Sequence, residues 1–75
     1  MPDSTYKVIE VIGSSPNSWE EAARNAIKKV AEHVEDLRVA EVLGQDLKIE
    51  DGKVTTYRTK LSLSFRFHEA AELHH

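Results

Sequence analysis

From position 54 onward the chain alternates. The odd positions read Thr55, Tyr57, Thr59, Leu61, Leu63, Phe65 and Phe67, and the even positions read Val54, Thr56, Arg58, Lys60, Ser62, Ser64 and Arg66. Successive strand residues point to opposite faces, so alternation sustained this long predicts a strand with one face in a core and one polar face. Upstream, residues 5–12 carry β-branched Val8, Ile9, Val11 and Ile12, interrupted by Lys7 and Glu10. This predicts a first strand with both faces partly covered. Residues 13–17, with Pro16 among them, predict a turn. Ser18 followed by Glu21 has the spacing of a capping box and predicts a helix start. Trp19, Ala22, Ala23, Ala26, Ile27, Val30, Ala31 and Val34 then recur at the three-and-four spacing of one helical face, opposite Glu20, Arg24, Lys28, Lys29, Glu32 and His33.

The second strand is predicted over residues 38–50, and its parity changes midway. Ala40 and Val42 are even, whereas Leu47 and Ile49 are odd. An extra residue near Gly44 and Gln45 would let both apolar sets point to one side, so a β-bulge is expected there. The turn Glu50, Asp51, Gly52, Lys53 closes a hairpin, with Gly52 free to take a positive φ. The predicted fold class is α+β, of β-α-β-β order: a three-stranded antiparallel sheet with one helix packed on one face. The opposite face would carry Val39, Glu41 and Leu43 beside Arg58, Lys60, Ser62 and Ser64. Cross-strand ion pairing accounts for its charges. Val39 and Leu43 remain unexplained in a monomer.

Length and composition sharpen this picture. A chain of 75 residues makes one domain, expected over residues 1–68, and buries little surface. With no cysteine it has neither a disulfide nor a thiolate zinc site, which leaves oligomerisation as the expected source of stability. The formal net charge is −3, from 10 Lys and Arg against 13 Asp and Glu, which argues against nucleic acid as the main partner. No apolar run has the length of a membrane span and no export signal is seen, so a cytoplasmic protein without membrane attachment is expected. Residues 69–75, ending in His74 and His75, are expected to be a disordered or tag-derived tail. No Ser-His-Asp or Cys-His set and no glycine-rich phosphate loop is present, and His33 and His68 have no recognisable partner. The expectation is no enzyme.

The order Tyr6-Lys7-Val8-Ile9-Glu10, Ile12-Gly13-Ser14-Ser15-Pro16, a helix, Leu37-Arg38-Val39-Ala40-Glu41-Val42, and Tyr57-Arg58-Thr59-Lys60-Leu61 with Phe65 resembles the dodecins. The resemblance spans residues 5–67. It implies a small β-α-β-β protein that assembles as a hollow homododecamer and stores or buffers flavin without catalysis. Two departures stand out. Flavin-binding dodecins stack the ring on a tryptophan at the position matching Val39 and hydrogen-bond it through a glutamine at the position matching Arg58. An aliphatic side chain offers no stacking face, and a guanidinium donates without accepting. Gln45 retains a polar match near the same pocket. Weak or absent flavin binding is therefore expected, with Val39, Glu41, Gln45, Arg58 and Lys60 as the pocket positions and a small anionic ligand suited to Arg58 and Lys60.

A closer resemblance is to the mycobacterial calcium dodecins, through residues 5–12, Ser18-Trp19-Glu20, Arg38-Val39-Ala40 and Gln45-Asp46. It implies a dodecamer that binds Ca2+ on its surface in place of flavin. Calcium takes six to eight oxygens. Asp46, Glu50 and Asp51, clustered near the hairpin tip, are the candidate ligands, against a solvated turn as the plain alternative. The readings that remain are a ligand-storage dodecamer without stacked flavin, a calcium-binding or purely structural dodecamer, and a residual flavin-binding dodecin.

Overall fold

The computed structural model describes residues 5–66. Phe67, His68 and the predicted tail lie outside the described residues. Four elements follow in order: β1 (Tyr6–Ser15), α1 (Trp19–Ala31), β2 (Leu37–Glu50) and β3 (Lys53–Arg66). The predicted β-α-β-β layout is observed. All strand pairs are antiparallel and the sheet order is β1-β3-β2, so the alternating strand β3 lies in the centre.

Strand β1 runs on through Gly13 to Ser15, where a turn was predicted. Gly13 makes that extension possible. A Cβ built there would lie 2.0 Å from the Ala22 carbonyl oxygen and 2.9 Å from the Ala26 Cβ, so the strand and helix approach as closely as backbone allows. Ser15, 2% exposed, then ties the corner: its Oγ accepts from the Asn17 backbone N–H at 2.9 Å and donates to the Glu21 carboxylate. The capping box forms by half. Ser18 Oγ accepts from the Glu21 N–H at 3.0 Å, but the Glu21 carboxylate turns to Ser15 and to Asn17 Nδ2 at 2.7 Å instead of the Ser18 N–H. These hydrogen bonds from Ser15 and Asn17 hold the Glu21 carboxyl below its ordinary pKa. Glu20 and Glu21 in the first turn and Lys28 and Lys29 in the last complement the helix dipole.

The core lies between α1 and the odd face of β3. Leu61 and Leu63 are fully buried against Ala26, with Ile9, Val11, Ala23, Ile27, Val30 and Leu37 packed around them. Buried Thr59 donates from Oγ1 to the Trp19 carbonyl oxygen at 2.9 Å, which satisfies the one polar side chain of the buried row. The helix packs mainly on β1 and β3 and reaches β2 through Trp19. Every residue of β2 after Leu37 is exposed, and so are Tyr6, Val8 and Ile12 on β1. The first strand was expected to be covered on both faces; in the single chain only its odd face is.

The hairpin turn has Asp51 at φ 53° and Gly52 at φ 74°, the two positive φ values of a type I′ turn. Because β1 pairs with β3 only as far as Tyr57, the β2-β3 tip projects beyond the rest of the sheet and gives the chain principal extents of 54 × 21 × 14 Å. Ile49 and Val54 pair across this tip, both exposed. No helix among the described residues is long and apolar enough to cross a membrane.

Candidate functional site

The face opposite the helix is built in rows across the three strands. Val8, Ser64 and Val39 form one row; Glu10, Ser62 and Glu41 the next; then Ile12, Lys60 and Gly44; then Ser14, Arg58 and Asp46. The expected bulge is present: the register shifts between Val42 and Gly44, leaving Leu43 as the extra residue. Further shifts fall between Leu37 and Val39 and between Lys48 and Ile49. With Leu43 inserted, Ala40, Val42 and Leu47 share the helix side of the sheet, as the parity argument requires.

Of the candidate pocket residues, Val39, Glu41, Arg58 and Lys60 therefore lie on one face. Gln45 does not join them. It pairs with buried Thr59, which places it on the helix side. Asp46, a candidate metal ligand by sequence, takes its place on this face and binds Arg58 in a two-pronged ion pair: Nε donates to Oδ1 at 2.7 Å and Nη2 to Oδ2 at 2.8 Å. Those hydrogen bonds, with the Coulombic attraction, hold the Asp46 carboxyl below the usual range and raise Arg58 further. Lys60 Nζ lies 3.7 Å from Glu10 Oε1. Gly44 beside it adds no side chain, and a Cβ there would meet nothing within 4 Å, so the face is open to solvent at this point. The aromatic residue on this face among the described residues is Tyr6, two strands from Val39, or about 10 Å at ordinary strand spacing.

The other candidate calcium ligands stay apart from Asp46. Glu50 sits opposite Lys53 and pairs with Lys48 at 3.5 Å, and Asp51 is in the turn. Among the described residues no group of three or more His, Cys, Asp or Glu is arranged to hold a metal ion. The described acids of one chain do not fit a calcium shell.

One feature of the site was invisible to sequence spacing. Trp19 Nε1 donates to the Asp46 carbonyl oxygen at 3.0 Å, and the indole meets Tyr57 edge to face with ring centroids 5.3 Å apart. From the helix side Trp19 thus touches residue 46 and the neighbour of residue 58. It is an anchor under the sheet, as its place at the helix start suggests.

A scan against protein-family models matches residues 5–68 to Dodecin. The chain belongs to the dodecin family. The calcium dodecin of Mycobacterium tuberculosis is 46% identical over 67 residues, covering 89% of this chain and 94% of that protein. Among solved structures, the dodecin from Streptomyces coelicolor superposes with a TM-score of 0.86 at 37% identity, over 91% of this chain and 97% of that one. The M. tuberculosis calcium dodecin, described as calcium chelating with a novel calcium-binding site, superposes with a TM-score of 0.78 at 48% identity, over 87% and 93% of the two chains. This dodecin thus shares the family's β-α-β-β frame with valine and arginine at positions 39 and 58.

Proposed function

We propose that this dodecin is a non-enzymatic small-ligand binding or storage protein that works as a homododecamer, with the face around Val39 and Arg58 turned to a ligand other than stacked flavin. The observation that carries the reading is the ion pair that shares a sheet face with Val39, three rows along the strands. By its resemblance to the flavin-binding dodecins Arg58 matches the position of an accepting amide, and its Nε and Nη2 donors are taken by Asp46. Val39 adds an aliphatic surface, 60% exposed in the single chain, where stacking would need a broad aromatic one.

Assembly is supported by what one chain leaves in water. Val39, Val42, Leu43, Leu47 and Ile49 along β2, with Val8 and Ile12 on β1, are large apolar side chains on a domain too small to bury them. Copies of the same chain are the occupants that the family frame supplies. Calcium is the second ligand to consider, on the strength of the calcium dodecin relative. Because Asp46, Glu50 and Asp51 do not converge within one chain, a calcium site here is built from carboxylates of several copies.

Two measurements on purified protein test this reading. Light scattering is expected to give the mass of a dodecamer, and a monomer at micromolar concentration overturns the architecture. Thermal unfolding is expected at a higher midpoint in calcium than in EDTA. An unmoved midpoint removes calcium and leaves the storage reading.

A further inference from the structure

Two cations of the ligand face, Arg58 and Lys60, are already answered by carboxylates of the same chain. Lys60 lies near Glu10, and the Arg58 fork is filled by Asp46 in the parallel geometry with which a guanidinium takes an external carboxylate or phosphate. The pair is also held from behind. Trp19 Nε1 binds the Asp46 carbonyl oxygen, and the indole rests on Tyr57, so the helix start fixes the backbone at one member and beside the other. In the next row, Gly44 carries no side chain and Lys60 brings positive charge toward an anion that displaced Asp46.

We propose that Arg58 is an anion site for phosphoryl or carboxylate groups, that Asp46 is its built-in stand-in ligand and keeps it closed, and that Trp19 is the positioning residue that holds the closure. This rests on the reading of the Val39 and Arg58 face as a small-ligand surface. An incoming anion that takes the Nε and Nη2 edge must release Asp46 from it, and one that takes the remaining Nη1 and Nη2 edge meets the Asp46 charge beside it, so the wild-type site discriminates against weak monoanions. An exposed pair is worth little in free energy, so the gate is modest, with a factor of about two to five in affinity.

The test is a titration of the full-length protein with inorganic phosphate at constant ionic strength near neutral pH. Binding is read by calorimetry and by the fluorescence of Trp19, the chain's single tryptophan. Asp46→Asn is expected to bind phosphate about two- to fivefold more tightly than wild type, and the double variant Asp46→Asn with Arg58→Gln to lose the gain. Glu35→Gln, which removes the same charge at an exposed position away from this face, is expected to match wild type. Trp19→Phe keeps the ring contact and loses the N–H. It is expected to shift affinity in the same direction by a smaller factor and to add nothing to Asp46→Asn. Equal affinity in wild type and Asp46→Asn, a gain that survives Arg58→Gln, or an equal gain in Glu35→Gln overturns the gate. An unchanged Trp19→Phe overturns the positioning role. Should the gate fail, the oligomer mass and the calcium-dependent midpoint still report separately on the function proposed above.

Discussion

Gly13 lies directly beneath Ala22, with the position of its absent Cβ 2.0 Å from the Ala22 carbonyl oxygen. The obstacle is helix backbone, which cannot rotate away as a side-chain end would. Gly13→Ala is therefore expected to push the helix off the sheet and to destabilise the protein by about 3 kcal/mol, at the upper end of overpacking effects. Thermal unfolding at fixed protein concentration checks this, and a variant as stable as wild type contradicts the close contact.

Replacing Trp19 separates two of its roles. Phenylalanine retains apolar packing against Tyr57 but leaves the Asp46 carbonyl oxygen without its indole donor. The expected cost is about 1 kcal/mol, the ordinary net value of one hydrogen bond. Trp19→Ala also removes the aromatic contact and is expected to cost more. Denaturant titration of both variants reads the difference, and equal losses would show that the N–H carries the whole effect.

The pH dependence follows from Asp46 and Glu21, both with carboxyl pKa values depressed in the fold. Unfolded carboxyls titrate near the ordinary values of about 3.9 for Asp and 4.3 for Glu. Their contribution to stability is complete above those values and is lost as pH falls through the lower folded ones. Stability is thus expected to decline on acidification below about pH 4.5. Carboxyl NMR titration of Arg58→Gln should bring Asp46 back toward the ordinary aspartate value while leaving Glu21 depressed. A depressed Asp46 in that variant would assign the shift to something other than Arg58.

Much of this was legible in the alternation of β3. The odd residues Thr59, Leu61 and Leu63 are the buried row, the even residues face away, and the parity break in β2 is resolved by the bulge at Leu43. The site was read less completely, and the reason lies in the same bulge. Carried through position 44, the parity shift exchanges Gln45 for Asp46 on the ligand face, so the pairing of Asp46 with Arg58 was implicit in the sequence. The reach of Gly13 under Ala22 and of Trp19 to Asp46 was not. Both depend on how the helix is set on the sheet, and Trp19 and Asp46, 27 positions apart, are linked by no local pattern.

The projecting tip offers a check on assembly. Ile49 and Val54 form an exposed apolar pair beyond the end of β1, where no part of the described chain can cover them. Ile49→Asp with Val54→Asp is expected to leave the β-α-β-β core intact by circular dichroism but to weaken association, seen as a lower mass by light scattering. A double variant of unchanged mass and stability would show that the tip takes no part in subunit contact.

The central claim is that Val39 and Arg58 turn this family frame away from stacked flavin, and riboflavin fluorescence in the presence of the assembled protein tests it most directly. Wild-type protein in excess is expected to leave the fluorescence unquenched, while Val39→Trp with Arg58→Gln, which supplies the ring and the amide, is expected to quench it. Strong quenching by the wild-type oligomer would contradict the account.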